Sequence, residues 1–195
     1  MTLSKPQKRV AYFVGSFLLL FLAWLTVTGV QAKHHLNQAQ SSLANLHVSD
    51  VLDKPQDVYA TLDEASTDVA KADAILNSPA WSVLRHTPIL GRSVNASRVA
   101  THHAKLIMNA TLAGTSGLKT FKHHSDQMLD PELISIAIAT ITAVNQPTHN
   151  MVSALKETDL RWVPGVVANP IRTLESDLTQ SLSFLEQGQS LVSLS

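Results

Sequence analysis

The chain has 195 residues, enough for one sizeable domain or for one domain plus a membrane anchor. Its 15 basic and 15 acidic residues cancel, which argues against a nucleic-acid partner, because such proteins carry a basic surface. No cysteine is present, so disulfides, iron–sulfur clusters, cysteine zinc sites and thiol catalysis are excluded.

The first predicted element is a membrane span. Val10 to Val30 contains no charged residue, and its centre from Phe17 to Leu25 is almost wholly apolar. As a helix this stretch would reach roughly 32 Å, enough to cross a hydrocarbon core of about 30 Å. Lys5, Lys8 and Arg9 precede it, so the positive-inside rule puts residues 1–9 in the cytoplasm and residues 33–195 outside the membrane. The competing reading is a cleavable signal peptide ending at Val30-Gln31-Ala32. Signal cores run about 7–15 residues, and this one is longer, which favours a retained anchor. Five of the ten aromatic residues (Tyr12, Phe13, Phe17, Phe21 and Trp24) fall in the first 24 positions. The aromatic-poor remainder, with a formal charge of −3, points to slim helices packed through Leu, Val and Ala.

Beyond the anchor the apolar spacing is helical. Val58, Leu62, Ala65, Val69, Ala72 and Leu76 alternate at four and three residues, a coiled-coil-like seam whose alanines would admit a close neighbour. Asp57, Asp63, Glu64, Asp68 and Asp73 flank it and read as a solvated face rather than a paired-carboxylate site. Val99, His103, Leu106, Ala110 and Ala113 form a second stripe, on which His103 is expected to be a hydrogen-bonded interface residue. Ile171, Leu174, Leu178, Leu182 and Leu185 form a third. Ser78-Pro79, Asp130-Pro131 and Asn169-Pro170 each join an N-cap residue to a proline suited to the first helical position. Leu133 to Val144 is free of charge and is expected to be the most buried helix, ended or kinked by Pro147. Its Ile134-x-Ile136-x-Ile138 alternation would also suit a strand, but the Asp130-Pro131 start favours helix. Thr87-Pro88 should leave helix, Gly114 to Leu129 should be the longest loop, and Leu160 to Ala168 a second elbow. The pairs Leu84-Arg85 and Leu160-Arg161, each with a proline three residues after the arginine, hint at an internal duplication.

Few constellations suggest chemistry. The adjacent histidine pairs His34-His35, His102-His103 and His123-His124 point about 100° apart on a helix and do not chelate as an i, i+4 pair would. His123, His124 and Asp126 form the best metal candidate, outweighed by solvated loop histidines. No serine lies in a G-x-S-x-G elbow, and no phosphate-binding glycine pattern is present. Asn95-Ala96-Ser97 and Asn109-Ala110-Thr111 fit the glycosylation sequon. Neither a catalytic centre nor a cofactor is expected. Trp81 and Trp162 stand near the two elbows, where they plug the bundle ends or, with Pro88, Ile89, Leu90 and Gly91, form a partner-docking patch.

The stretch Trp81-Ser82-Val83-Leu84-Arg85-His86-Thr87-Pro88-Ile89-Leu90-Gly91-Arg92 resembles the amino-terminal region of the domain of unknown function 4012 family. These look like bacterial envelope proteins in which one anchor precedes helices, a tryptophan, a Pro-apolar-apolar-Gly elbow and an Ala-rich helix. The similarity runs roughly from Val10 to Leu185, and this chain stops about where the larger family domain would begin. The resemblance implies location and architecture.

Together these readings predict an all-α protein: one N-terminal transmembrane helix, then an extracytoplasmic antiparallel helical bundle. The expected role is that of a membrane-anchored, non-catalytic cell-envelope scaffold or interaction module. Its partners would be the lipid bilayer and other envelope proteins. The alternative is a sensor-type ligand-binding helical bundle, which should also carry a second membrane helix and a cytoplasmic output domain.

Overall fold

The computed structural model describes residues 28–46, 50, 53–87, 90–121, 130–161 and 163–192. Every described element is helical. Helix α1 occupies 28–44, α2 Pro55–Leu76, α3 Pro79–Leu84 and α4 Leu90–Gly114. A 3-10 turn covers Thr115–Lys119, then α5 spans Pro131–Glu157 and α6 Gly165–Val192. The expected membrane span lies outside the described residues except for its last three positions, which open α1. Among the described residues no helix is long and apolar enough to cross a membrane.

The seam on α2 packs as its spacing demands. All six of its apolar residues are buried, and Ala65 and Ala72 are 0% exposed. Full burial of Val58, Leu62, Val69 and Leu76 stabilises the fold by about 1.5–3 kcal/mol each. Towards the N-terminal half of α2 the seam meets Ala39, Leu36 and Leu43 of α1, together with Met108 of α4. Towards its C-terminal half it meets Ala32 of α1 and Trp81 of α3. Ascending residues of α1 thus face descending residues of α2, so the pair is antiparallel. Helix α4 continues the row and carries α5 and α6 on its other side through Ala96, Met151, Leu155 and Ile171.

Helices α4 and α5 approach closely at Gly114. A Cβ there would collide with the Thr140 backbone of α5, so the absence of a side chain sets the spacing of α4 and α5. Just beyond, Leu118 and Phe121 are buried, and the Gln56 amide donates to the Phe121 carbonyl at 2.8 Å. This ties the end of the 3-10 turn to the first turn of α2.

Several expectations from sequence are corrected. On α4 the buried residues are Gly91, Val94, Ala96, Thr101, Met108 and Gly114, whereas Leu106 is exposed. The second stripe is therefore out of phase, because α4 has neighbours on two flanks rather than on one stripe. Leu133 to Val144 is helical but not the most buried segment: Ile134 is 44% exposed, and the buried residues of α5 are Thr148, Met151, Val152 and Leu155. Pro147 does not end α5, because those four residues anchor the helix beyond it. Its cost is the backbone bond that its missing N–H cannot donate, together with the crowding of its ring against the carbonyl four residues back. Likewise α6 starts at Gly165 and runs through Pro170. There the Pro164 carbonyl accepts from the N–H groups of Val167 and Ala168, both at 2.9 Å, while Val163 and Ala168 are buried. The other two proline starts are as expected. Asp130 caps α5 by accepting from the Glu132 N–H at 2.9 Å, and Ser78 precedes α3 in an extended conformation.

Gly114→Ala tests the close approach. Helix propensity alone would favour the alanine, but overpacking of this kind costs about 1–3 kcal/mol. A lower thermal midpoint is expected. An unchanged or raised midpoint would show that α4 and α5 can part without loss.

Candidate functional site

Asp68 and Asp73 depart furthest from the expectation for an acidic helix face. They are 6% and 5% exposed, respectively. Asp68 precedes Val69 of the seam and Asp73 follows Ala72, so at 100° per residue they leave α2 on opposite flanks. Asp68 faces α1, where His35 Nδ1 lies 3.0 Å from its Oδ1 and Lys71 Nζ approaches the same oxygen at 3.3 Å. Asp73 faces α4, where Lys105 donates to Oδ2 at 3.1 Å and His102 stands at 3.9 Å. Asn77 donates to the Asp73 Oδ1 at 2.7 Å, and Arg98 in turn donates to the Asn77 side-chain oxygen at 2.6 and 2.9 Å. Each buried carboxylate is thereby compensated by cations whose heads reach solvent, as burial of a charge requires. The arrangement clamps α1 and α4 to α2. Adjacency to the seam does not by itself decide this, because Asp63 and Glu64, beside Leu62 and Ala65, are exposed.

The adjacent histidines diverge as expected. His34 is exposed while His35 meets Asp68, and the His102 and His103 rings stand edge-on at 5.6 Å. His103 is not the hydrogen-bonded interface residue anticipated: its buried Nδ1 has no hydrogen-bond partner among the described residues. Burial, and secondarily the neighbouring His102, hold its imidazole below the ordinary value of 6.5. His123, His124 and Asp126 lie outside the described residues, among which no group of three His, Asp or Glu side chains could hold a metal ion.

The elbow after α3 is compact. Thr87 Oγ1 donates to the Leu84 carbonyl at 2.7 Å, and the Gly91 N–H donates to the Thr87 carbonyl at 2.9 Å. A Cβ on Gly91 would collide with the Arg85 carbonyl, so only glycine fits where the chain folds back on itself. Trp81 is half-buried against Leu76 and Ala72, and its indole N–H donates to Thr28 Oγ1 at 3.2 Å. It therefore plugs the end of the α1–α2 pair. Leu90 is 50% exposed, whereas Pro88, Ile89 and Trp162 lie outside the described residues. The second elbow meets the first through Arg92, which donates to the Arg161 carbonyl at 3.0 Å and pairs with Asp159 at 3.4 Å. Arg85 and Arg161, the paired arginines of the suggested duplication, are both exposed.

No family model matches the chain, and neither the curated proteins nor the solved structures contain a significant match.

Two measurements probe this polar layer. Lys105→Met leaves the buried Asp73 short of its main cation and should cost about 2 kcal/mol, whereas Asp73→Leu frees a lysine that can turn to water and should cost less. Equal losses in denaturant melts would refute the asymmetry. For His103, the unfolded chain takes up its proton first as pH falls through 6.5, so stability is lost from that pH downward until the lowered folded value is passed. His103→Leu should therefore shrink the fall in thermal midpoint on acidification, and an unchanged fall would assign it to other groups.

Proposed function

We propose that this chain is a membrane-anchored, non-catalytic scaffold or interaction module of a bacterial cell envelope. In this reading Val10 to Val30 crosses the membrane once, with the N-terminus cytoplasmic and residues 33–195 forming an extracytoplasmic antiparallel bundle. The observation that carries it is the run of 21 uncharged residues placed directly after Lys5, Lys8 and Arg9. The last three residues of that run are already part of α1, which packs along α2 and so would couple the anchor to the bundle without a linker. A structural role is supported by the state of the buried carboxylates. Asp68 and Asp73 are occupied by His35, Lys71, Lys105 and Asn77 of the same chain, which is how helix clamps are built. The envelope resemblance of Trp81–Arg92 points the same way.

Membrane fractionation of the full chain is the test. The protein should sediment with membranes, resist extraction by high salt and alkaline carbonate, and be released by detergent with an intact mass that includes Met1. A soluble protein, or a mature chain beginning at Lys33, would overturn the anchor.

A further inference from the structure

The end of the bundle that carries α3 holds features that the clamp and the core leave unused. Trp81 lies with its ring 3.5 Å from the place a side chain of Gly29 would occupy, and its N–H reaches Thr28. Thr28, Gly29 and Val30 are the last residues of the uncharged run. If that run spans a bilayer, these three residues mark the level at which it leaves the hydrocarbon, and α3 is fixed at that level by direct contact. Tryptophan is enriched at this depth, where an apolar ring and a polar N–H are both accommodated.

Apolar exposure gathers at the same end. Among the described residues the exposed large hydrophobic side chains are Val30, Val83, Leu90, Leu106 and Ile134. The first three, at 62%, 62% and 50% exposure, are also the most exposed. Val30 opens α1, Val83 lies on α3 and Leu90 begins α4. The Thr87 hydroxyl bond to Leu84 and the Gly91 N–H bond to Thr87 link the end of α3 to the start of α4, where Leu90 is exposed. Basic side chains lie near the elbow as well, with Asp159 of the second elbow beside Arg92. No acid occurs between Asp73 and Asp126, a stretch that contains six lysines and arginines. Arg85 is exposed at the tip of the elbow and Lys33 lies one turn beyond Gly29. Neither has a carboxylate within ion-pair distance among the described residues, whereas Arg92 is shared with Asp159.

From these observations, and resting on the anchor reading above, we propose that the α3 elbow is a bilayer contact. Val83 and Leu90 enter the headgroup layer of an anionic membrane, and Arg85 pairs with lipid phosphates. Interfacial binding of this kind scales with the apolar area inserted plus the attraction of basic side chains to anionic lipid. The contact would hold the bundle at a defined tilt to the membrane.

The absence of cysteine makes the test direct, because a nitroxide can be placed at one position at a time. Full-length Leu20→Cys, Val83→Cys, Leu90→Cys and Ile134→Cys are spin-labelled in vesicles of phosphatidylcholine, with or without phosphatidylglycerol. Collision of each label with oxygen and with a water-soluble nickel complex is compared. Ile134 is the aqueous reference, since the start of α5 lies by the end of α4, away from the elbow. We expect the Leu20 label to be oxygen-dominated. We expect the Val83 and Leu90 labels to exceed Ile134 severalfold in oxygen-to-nickel ratio in phosphatidylglycerol vesicles, and to lose that excess when Arg85→Glu is added. A buried Leu20 label with Val83 and Leu90 equal to Ile134 overturns the elbow contact and leaves the anchor standing. An aqueous Leu20 label overturns the anchor and the contact with it. Equal readings in both lipids, insensitive to Arg85→Glu, overturn the anionic preference.

Discussion

The fully buried alanines of α2 set the geometry on which the rest of the bundle depends. Ala65 and Ala72 present almost no side chain, so α1 and α4 can close on α2 from two sides. That closeness has a price in electrostatics. Asp68 and Asp73, one residue off the seam in opposite directions, are taken out of water and must find cations. Asp68 finds Lys71 on α2 itself, with His35 of α1 against the same oxygen, and Asp73 finds Lys105 on α4. Apolar packing thus brings the helices together, and the carboxylates then specify which cations must lie opposite them. A slip of one turn along α4 would take Lys105 away from the buried Asp73, which costs more than the net gain of the pair.

The same logic of close approach recurs on the other side of α4. Gly114 lets α5 come near at one end, and at the other Arg92 bridges to Arg161 and Asp159 in the second elbow. Helix α4 is therefore held at one end against α5, at the other against the second elbow, and along its middle against α2. Only limited apolar surface is available for this: the described core has one fully buried phenylalanine, Phe121, and otherwise relies on aliphatic side chains and methionine. In a bundle with so few aromatics, bonds such as Gln56 to the Phe121 carbonyl and Ser66 to Asn109 contribute a correspondingly larger share of its specificity.

Seen together, the polar groups of the bundle interior are committed to one another, while the apolar and basic groups at the α3 elbow are not. The interior network joins α1, α2 and α4, whereas the elbow presents Val83, Leu90 and Arg85 outward. A module whose interior is self-satisfied and whose one apolar end adjoins an uncharged N-terminal run is suited to holding a position rather than to processing a ligand. His103 stands apart from this pattern, as a half-buried imidazole whose buried Nδ1 has no bonding partner among the described residues.

By itself the sequence determined the helical class, the α2 seam, and the proline starts at Pro79 and Pro131, the second capped by Asp130. Each of these follows from local spacing or from the chemistry of a few adjacent residues. It also contained the uncharged run from Val10 to Val30, whose length is a property of composition alone. Only the tertiary structure decided which sides of α4 and α5 are covered. Val99 to Ala113 has a regular stripe and Leu133 to Val144 has no charge, yet periodicity and composition do not reveal how many neighbours a helix has. Pro147 and Pro170 lie within helices because packing of Met151, Leu155, Val163 and Ala168 outweighs the lost backbone bond and the crowding of each ring against the preceding turn. Asp68 and Asp73 became a buried clamp for the same reason. A carboxylate faces water or a partner according to how closely the next helix approaches, and that distance was set by residues far away in the chain.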